Sequence, residues 1–247
     1  MNWSVKFEKF ISTMENEYFR ELLLEGLGNT IKVAVLGLLI GILIGSVIAV
    51  VKVAPKYKLI IRILDKICTM YVAIFRGTPI VVQLSLAYYV LLPTLGVSNV
   101  ESLSVGIIVF GMNSGAYVSE IMRGGLNSVD IGQMEAGRAV GLSYPLTMIK
   151  IIIPQAIKNI LPTLGNEFIT LIKETSVLSF ITVYDLYTAL VDTIGAKNYE
   201  KMVPYIVLAL IYIVLVLLIT LMVKLLEKAF AKSDRTRAQG KKSVKAV

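Results

Sequence analysis

Histidine is absent from the 247 residues, and cysteine and tryptophan occur once each, at Cys68 and Trp3. A single cysteine excludes an internal disulfide, and the lack of histidine removes the commonest metal ligand and general base. The carboxylates are not paired in the way acid–base catalysis needs, so metal, hydrolytic and general enzymatic chemistry are all disfavoured. Charge is scarce: 17% of residues are Asp, Glu, Lys or Arg, against 56% hydrophobic. No Gly-x-x-x-x-Gly-Lys-Ser/Thr phosphate loop is present, since the nearest glycine cluster, Gly132 to Gly141, has no lysine. Residues up to Phe10 lack a basic segment followed by an apolar one, so no cleavable signal is visible and the first hydrophobic span is expected to act as the insertion signal.

What the chain has instead is apolar residues in runs of membrane-crossing length, at a mean hydropathy of +0.75. It is read as an integral membrane protein. The formal charge of +8 arises from basic residues that flank the runs rather than forming one patch among aromatics, which indicates positive-inside topology and argues against a nucleic-acid partner. The expected fold is all-α, with five transmembrane helices and a cytoplasmic loop. Residues 1–29 carry mixed charge at spacings suited to an extracytoplasmic or interfacial amphipathic helix. The transmembrane domain is expected over 30–228, and a basic cytoplasmic tail, disordered past Ser233, over 229–247.

The first span, Ile31 to Val51, carries Gly37, Gly41, Gly45 and Ala49 every fourth residue, a smooth ridge for close helix packing. In the second, about Ile63 to Leu92, Pro79 cannot donate to the carbonyl of Phe75, so a broken helix is expected at Gly77-Thr78-Pro79. The third runs from Leu103 to about Arg123. The fourth, from Ile157 to Ile172, is interrupted by Asn166 and Glu167, and hydropathy alone undercounts it; Lys173 and Glu174 are expected to brace its outer end. The fifth runs from Pro204 to Val223. Loop charges place the N-terminus outside and the C-terminus in the cytoplasm.

Between the third and fourth spans, residues 132–154 are not apolar enough to be in the membrane. Small residues at Ala136, Gly137, Ala139 and Gly141 allow close approach of another backbone. Pro145 and Pro154 are expected to force helix boundaries, giving two short helices around a tight turn. The run Glu135-Ala136-Gly137, three residues, Gly141, nine residues, then Ile151-Ile152-Ile153-Pro154 resembles the EAA loop of ABC-importer membrane subunits, with Gly137 in place of an alanine and Ile153 in place of a leucine. Arg76-Gly77-Thr78-Pro79, Gln83, Tyr88-Tyr89, Gly115-Ala116-Tyr117, Ser119-Glu120-Ile121, Arg123-Gly124-Gly125, Pro154-Gln155-Ala156 and Lys173-Glu174-Thr175-Ser176 extend the resemblance. They make the chain, over residues 20 to 228, similar to the polar amino acid permease family of ABC importers.

That resemblance implies a type I ABC importer permease in the cell membrane, acting as a homo- or heterodimer of permease subunits with two cytoplasmic ATPase subunits and an extracytoplasmic substrate-binding protein. ATP and Mg would be bound by the ATPase, with no cofactor or metal in this chain. Glu135, Ala136, Gly137, Gly141, Leu142 and Ser143 are the expected ATPase-coupling residues. Buried polar groups in a membrane are expensive, about 2.5 to 3.5 kcal/mol for a charge at a helix centre, and so mark a substrate path. Gly77, Thr78, Asn113, Ser114, Asn166, Glu167 and Asp185 are the candidates. The half-helix after Pro79 would offer backbone N–H groups to a carboxylate, and Glu167 would receive a basic side chain, which points to Arg, Lys or His as substrate. Asn113 and Asn166 could equally bond across helices. Glu120 and Arg123 are read as an ion pair or gate. An ion-gradient-driven secondary transporter or channel is the alternative, although it leaves the 132–154 loop without a purpose and no internal repeat is visible.

Overall fold

The computed structural model describes residues 2–97, 99–198 and 200–244, with side chains described through residue 229. The described residues are helical with short connections: α1 (Trp3–Glu15), α2 (Glu17–Val53), α3 (Leu59–Gly77), α4 (Ile80–Ser85), α5 (Leu92–Thr94), α6 (Ser102–Asn127), α7 (Ile131–Ala139), α8 (Tyr144–Thr147), α9 (Ile153–Glu174), α10 (Gly195–Lys197) and α11 (Met202–Val244). Three π-helical segments, Leu86–Leu91, Met148–Ile152 and Thr188–Ile194, and a 3-10 segment, Thr175–Ile181, lie between them.

Helices α2 and α6 and the Met202–Ala229 part of α11 are long and apolar enough to cross a membrane, and α3 with the Ile80–Thr94 run forms a further candidate, bent by 106° at its break. The remaining expected span, the fourth, is α9. Its 22 residues reach about 33 Å, a bilayer core's thickness, but its polar residues keep it below the apolar threshold. The first span is longer than expected: α2 starts at Glu17, where the Asn16 side chain caps the Tyr18 N–H at 2.9 Å, and it takes in residues first assigned to the preceding segment. The C-terminal helix also runs further than expected, to Val244, rather than ending in disorder past Ser233. Alanine, lysine, arginine and glutamine dominate that stretch and all favour helix.

The core is built on the α2 ridge. A Cβ at Gly37 would meet Phe110, one at Gly41 would meet Ser114, and one at Gly45 would meet Val118 and Ser119. From the other side, Gly111 takes Ile40 and Gly115 takes Ile44. The two helices thus interlock glycine against side chain at four-residue spacing, the close approach by which membrane helices gain packing without a hydrophobic driving force. Phe110, Val33, Leu84, Leu171, Ile172, Leu178 and Ile181 are buried around this seam.

Candidate functional site

The break in the second span is a hydrogen-bonded junction. Thr78 and Pro79 are extended, with φ/ψ of −125°/145° and −65°/140°, so α3 ends at Gly77 and the chain restarts as helix at Ile80. Pro79 has no N–H, and the carbonyl of Phe75, four residues earlier, would be orphaned in a non-aqueous setting. Gln83 supplies the missing donor: its Nε2 donates to Phe75 O at 2.9 Å and lies 3.0 and 2.9 Å from Thr78 O and Oγ1. Asn113, on α6, donates from Nδ2 to Gln83 Oε1 at 3.0 Å and reaches Phe75 O at 3.3 Å. Of the two uses open to Asn113, the cross-helix brace is the one its geometry serves. Gln83 belongs to this site although sequence reasoning noted it only within the family pattern; its position four residues after Pro79 was the available signal.

Glu167 lies on α9, where its Oε1 accepts a 3.0 Å hydrogen bond from Ser114 Oγ of α6. Among the described residues, no lysine or arginine forms an ion pair with it. Asn166, beside it, is exposed on the single chain and shares a face with Asn159, Thr163, Thr170 and Lys173. These residues recur at three- and four-residue intervals, so a spanning helix presents a polar stripe to something other than lipid. That heptad-like spacing is legible in the sequence, from which Asn166 is the expected substrate contact and Lys173 an expected brace of the outer end.

Toward the end of α6, a cleft of about 490 Å³ is lined by Arg76, Tyr117, Glu120, Ser128, Asn159 and Thr163, among others. The Arg76 guanidinium lies 5.3 Å from the Tyr117 ring centroid, a cation–π contact that keeps the charge at the wall of the cleft. Glu120 accepts from Arg123 at 2.6 Å through Nη2 and at 3.1 Å through Nε, as the expected pair. It also receives Lys52 from the last turn of α2 at 3.0 Å, which the sequence did not foretell. The pair is therefore a three-residue ionic tie between α2 and α6.

Asp185 does not join this group. It is fully buried, and its Oδ1 accepts from the Thr188 N–H and hydroxyl, each at 2.8 Å, which caps the helical turn leading into Thr188–Ile194. Among the described residues, its Oδ2 has no hydrogen-bond partner.

The loop at residues 132–154 is a self-braced helical hairpin. Asp130 caps α7 by accepting from Gly132 N at 2.7 Å. At the other end, Gly141 is left-handed with φ +87°, Gly141 N donates to Arg138 O, and Leu142 N donates to Gly137 O, both at 3.1 Å. These two bonds form a Schellman closure, which suits glycine. Arg138 Nη1 donates to Leu142 O at 2.7 Å across the same turn. Gly137 is buried against Thr147: an added Cβ would sit 2.5 Å from Thr147 Cγ2, which explains glycine where an alanine was expected. Pro145 opens α8 as expected. Pro154 does not end a helix, because the wide turns of Met148–Ile152 lead directly into α9 and place the proline in its first turn. Glu135 is exposed, and Ile131, Val140 and Ile149 are 74, 78 and 63% exposed, an apolar surface with a carboxylate among it.

Residues 37–232 match the family described as binding-protein-dependent transport system inner membrane component. The chain is 38% identical over 212 residues to the arginine transport system permease protein ArtQ of Bacillus subtilis, covering 86% of this chain and 94% of the relative. It is 35% identical to the L-cystine transport system permease protein TcyB of the same organism, covering 85% and 87%. Among solved structures, a crystal structure of an amino acid ABC transporter with histidines aligns with a TM-score of 0.80 at 38% identity, covering 89% of this chain and 98% of that one. The MetNI methionine ABC transporter, in an inward-facing form, shares the fold at 19% identity with a TM-score of 0.71.

Proposed function

Since the chain belongs to the binding-protein-dependent transport system inner membrane component family, and is a transport component rather than an enzyme, we propose that it is the permease of an ABC importer for polar amino acids with a preference for basic ones. The relatives' names span arginine and cystine, so substrate choice has to come from this chain's own side chains. The observation that carries the basic preference is Glu167, a carboxylate in a spanning helix held by Ser114 and, among the described residues, in no ion pair with a lysine or arginine. An ammonium or guanidinium side chain would satisfy it, while the N-terminal end of the half-helix after Gly77 and Thr78 would face the substrate carboxylate.

The polar stripe of α9, from Asn159 through Asn166 to Thr170, supports a path between two permease subunits. The exposed loop of Glu135, Ala136, Gly137, Gly141, Leu142 and Ser143 would dock on an ATPase, which supplies ATP and Mg, and an extracytoplasmic binding protein would deliver substrate. Residues 30–228 would form the translocating domain, with the N-terminus outside and the C-terminus in the cytoplasm; part of the basic tail at 229–247 falls outside the described residues. The test is substrate-stimulated ATPase activity of the permease–ATPase complex without its binding protein. Truncating one partner of a buried charge pair costs roughly 2 to 5 kcal/mol, so Glu167→Gln should weaken arginine far more than glutamine. Equal losses for both would leave the basic preference without support.

A further inference from the structure

The N-terminal helix α1 is fastened to the turn from which α11 emerges. Lys6 Nζ lies 2.8 Å from Glu200 Oε1, and Asn198 Nδ2 donates to Thr13 Oγ1 at 2.8 Å. Glu200 is at the same time the cap of α11, accepting from Met202 N at 3.0 Å and Val203 N at 3.1 Å. Phe10 and Met14 pack into the cluster of Leu190, Ile194 and Leu208. The height of α1 is therefore fixed: it lies across the end of a membrane span, at the level where the apolar part of α11 begins.

At that level α1 leaves a second flank open. Trp3, Phe7 and Ile11 stand at i, i+4 and i+8 and are 41, 42 and 56% exposed, with the Trp3 and Phe7 rings 6.4 Å apart. This stripe borders the docked flank, and Ser4, Glu8, Ser12 and Glu15 occupy the side beyond it. The start of α11, to which Lys6 is tied, also exposes apolar groups, with Met202, Tyr205 and Ile206 40 to 47% exposed. Indole and phenyl rings on a helix held at the end of a span match the composition of the acyl–headgroup boundary.

We propose that Trp3, Phe7 and Ile11 bury in the boundary region of the leaflet at which α11 begins, so that α1 is a lipid-held strap clamped over the turn that Glu200 N closes on Gly195 O. The polar flank faces water, and Lys6 and Thr13 tie the strap to the bundle.

Trp3 is the one tryptophan of the chain and serves as the probe. The permease–ATPase complex is reconstituted in phosphatidylcholine vesicles with or without lipid brominated high on the acyl chain, and the spectrum of the Trp3→Phe complex is subtracted. Several-fold quenching by brominated lipid with little quenching by aqueous iodide is expected. Iodide quenching without bromine quenching overturns the proposal, as does iodide protection that appears only when the binding protein is added, since the stripe would then be a protein-docking surface. The Phe7→Ser, Ile11→Ser double variant, checked for an intact complex by gel filtration, should lose most of the bromine quenching. Unchanged quenching in that variant would mean that these side chains do not hold the helix in lipid.

Discussion

The Gln83 amide donates at 2.9 Å to the carbonyl of Phe75, the acceptor that Pro79 leaves without a partner. The proline and the amide that compensates for it lie four residues apart. Together with Asn113 they turn a helix break into a fixed junction, because the Phe75 and Thr78 carbonyls beside the break find donors within the protein.

Removing the donor should therefore cost stability before it costs anything else. Gln83→Leu leaves Phe75 O with the longer bond from Asn113, and a buried unsatisfied group costs about 1 to 3 kcal/mol. The expected result is a lower unfolding midpoint of the detergent-solubilised complex. The double variant with Asn113→Ala should be non-additive by about 0.5 to 3 kcal/mol, since the two residues share one acceptor.

In the hairpin at residues 132–154, Gly137→Ala should loosen α7 against α8, because the new methyl meets Thr147. Retention of the ATPase on a pull-down of the permease should fall. Adding Thr147→Ser removes the crowding methyl and should restore retention to most of its starting value. No rescue by the second change would show that the glycine is needed for another reason.

Asp185 gives a prediction that separates capping from transport. Asp185→Ala removes a cap, worth about 0.5 to 2 kcal/mol, and should lower thermal stability while the ratio of arginine-stimulated to glutamine-stimulated ATPase activity stays where it was. A changed ratio would return Asp185 to the substrate path.

Glu200 lies outside the spans and sets the pH response of α1. Burial raises its pKa, but the Lys6 ion pair and the N–H groups of Val203 and Met202 outweigh that, leaving it below its ordinary 4.5. A depressed carboxylate contributes stability above its unfolded value and loses it as pH falls through the folded one. The clamp between α1 and the turn should therefore hold at neutral pH and weaken only below 4.5. Trp3 anisotropy should drop in that acid range in the native chain, and Glu200→Gln should flatten the transition.

Much of this was legible in the sequence because it depends on residues near one another along the chain. Pro79 predicts its own break, Gly141 its own turn, and the four-residue glycine recurrence in α2 its own seam. What escaped depends on partners brought together by folding. Nothing local says that Thr147 fills the space beside Gly137, or that Lys52 joins Glu120 from another helix. Pro154 marks no boundary because π-helical turns, which have no sequence signature, carry the helix past a proline that ordinary spacing would make one. The burial of Asp185 is hidden because residues 177 to 198 mix 3-10, irregular and π-helical backbone and so show no single period.

The missing boundary at Pro154 has a mechanical meaning. From Tyr144 in the hairpin to Glu167 in α9 the chain is helical at every residue, and at helical rise that stretch is roughly 35 Å long. The stretch contains Pro162 but no non-helical linker between the hairpin and the carboxylate, so a tilt of about 10° carried along the helix would displace the Glu167 backbone by about 6 Å, more than a full helical turn's rise. A tilt that small would thus be enough to carry the carboxylate out of reach of Ser114.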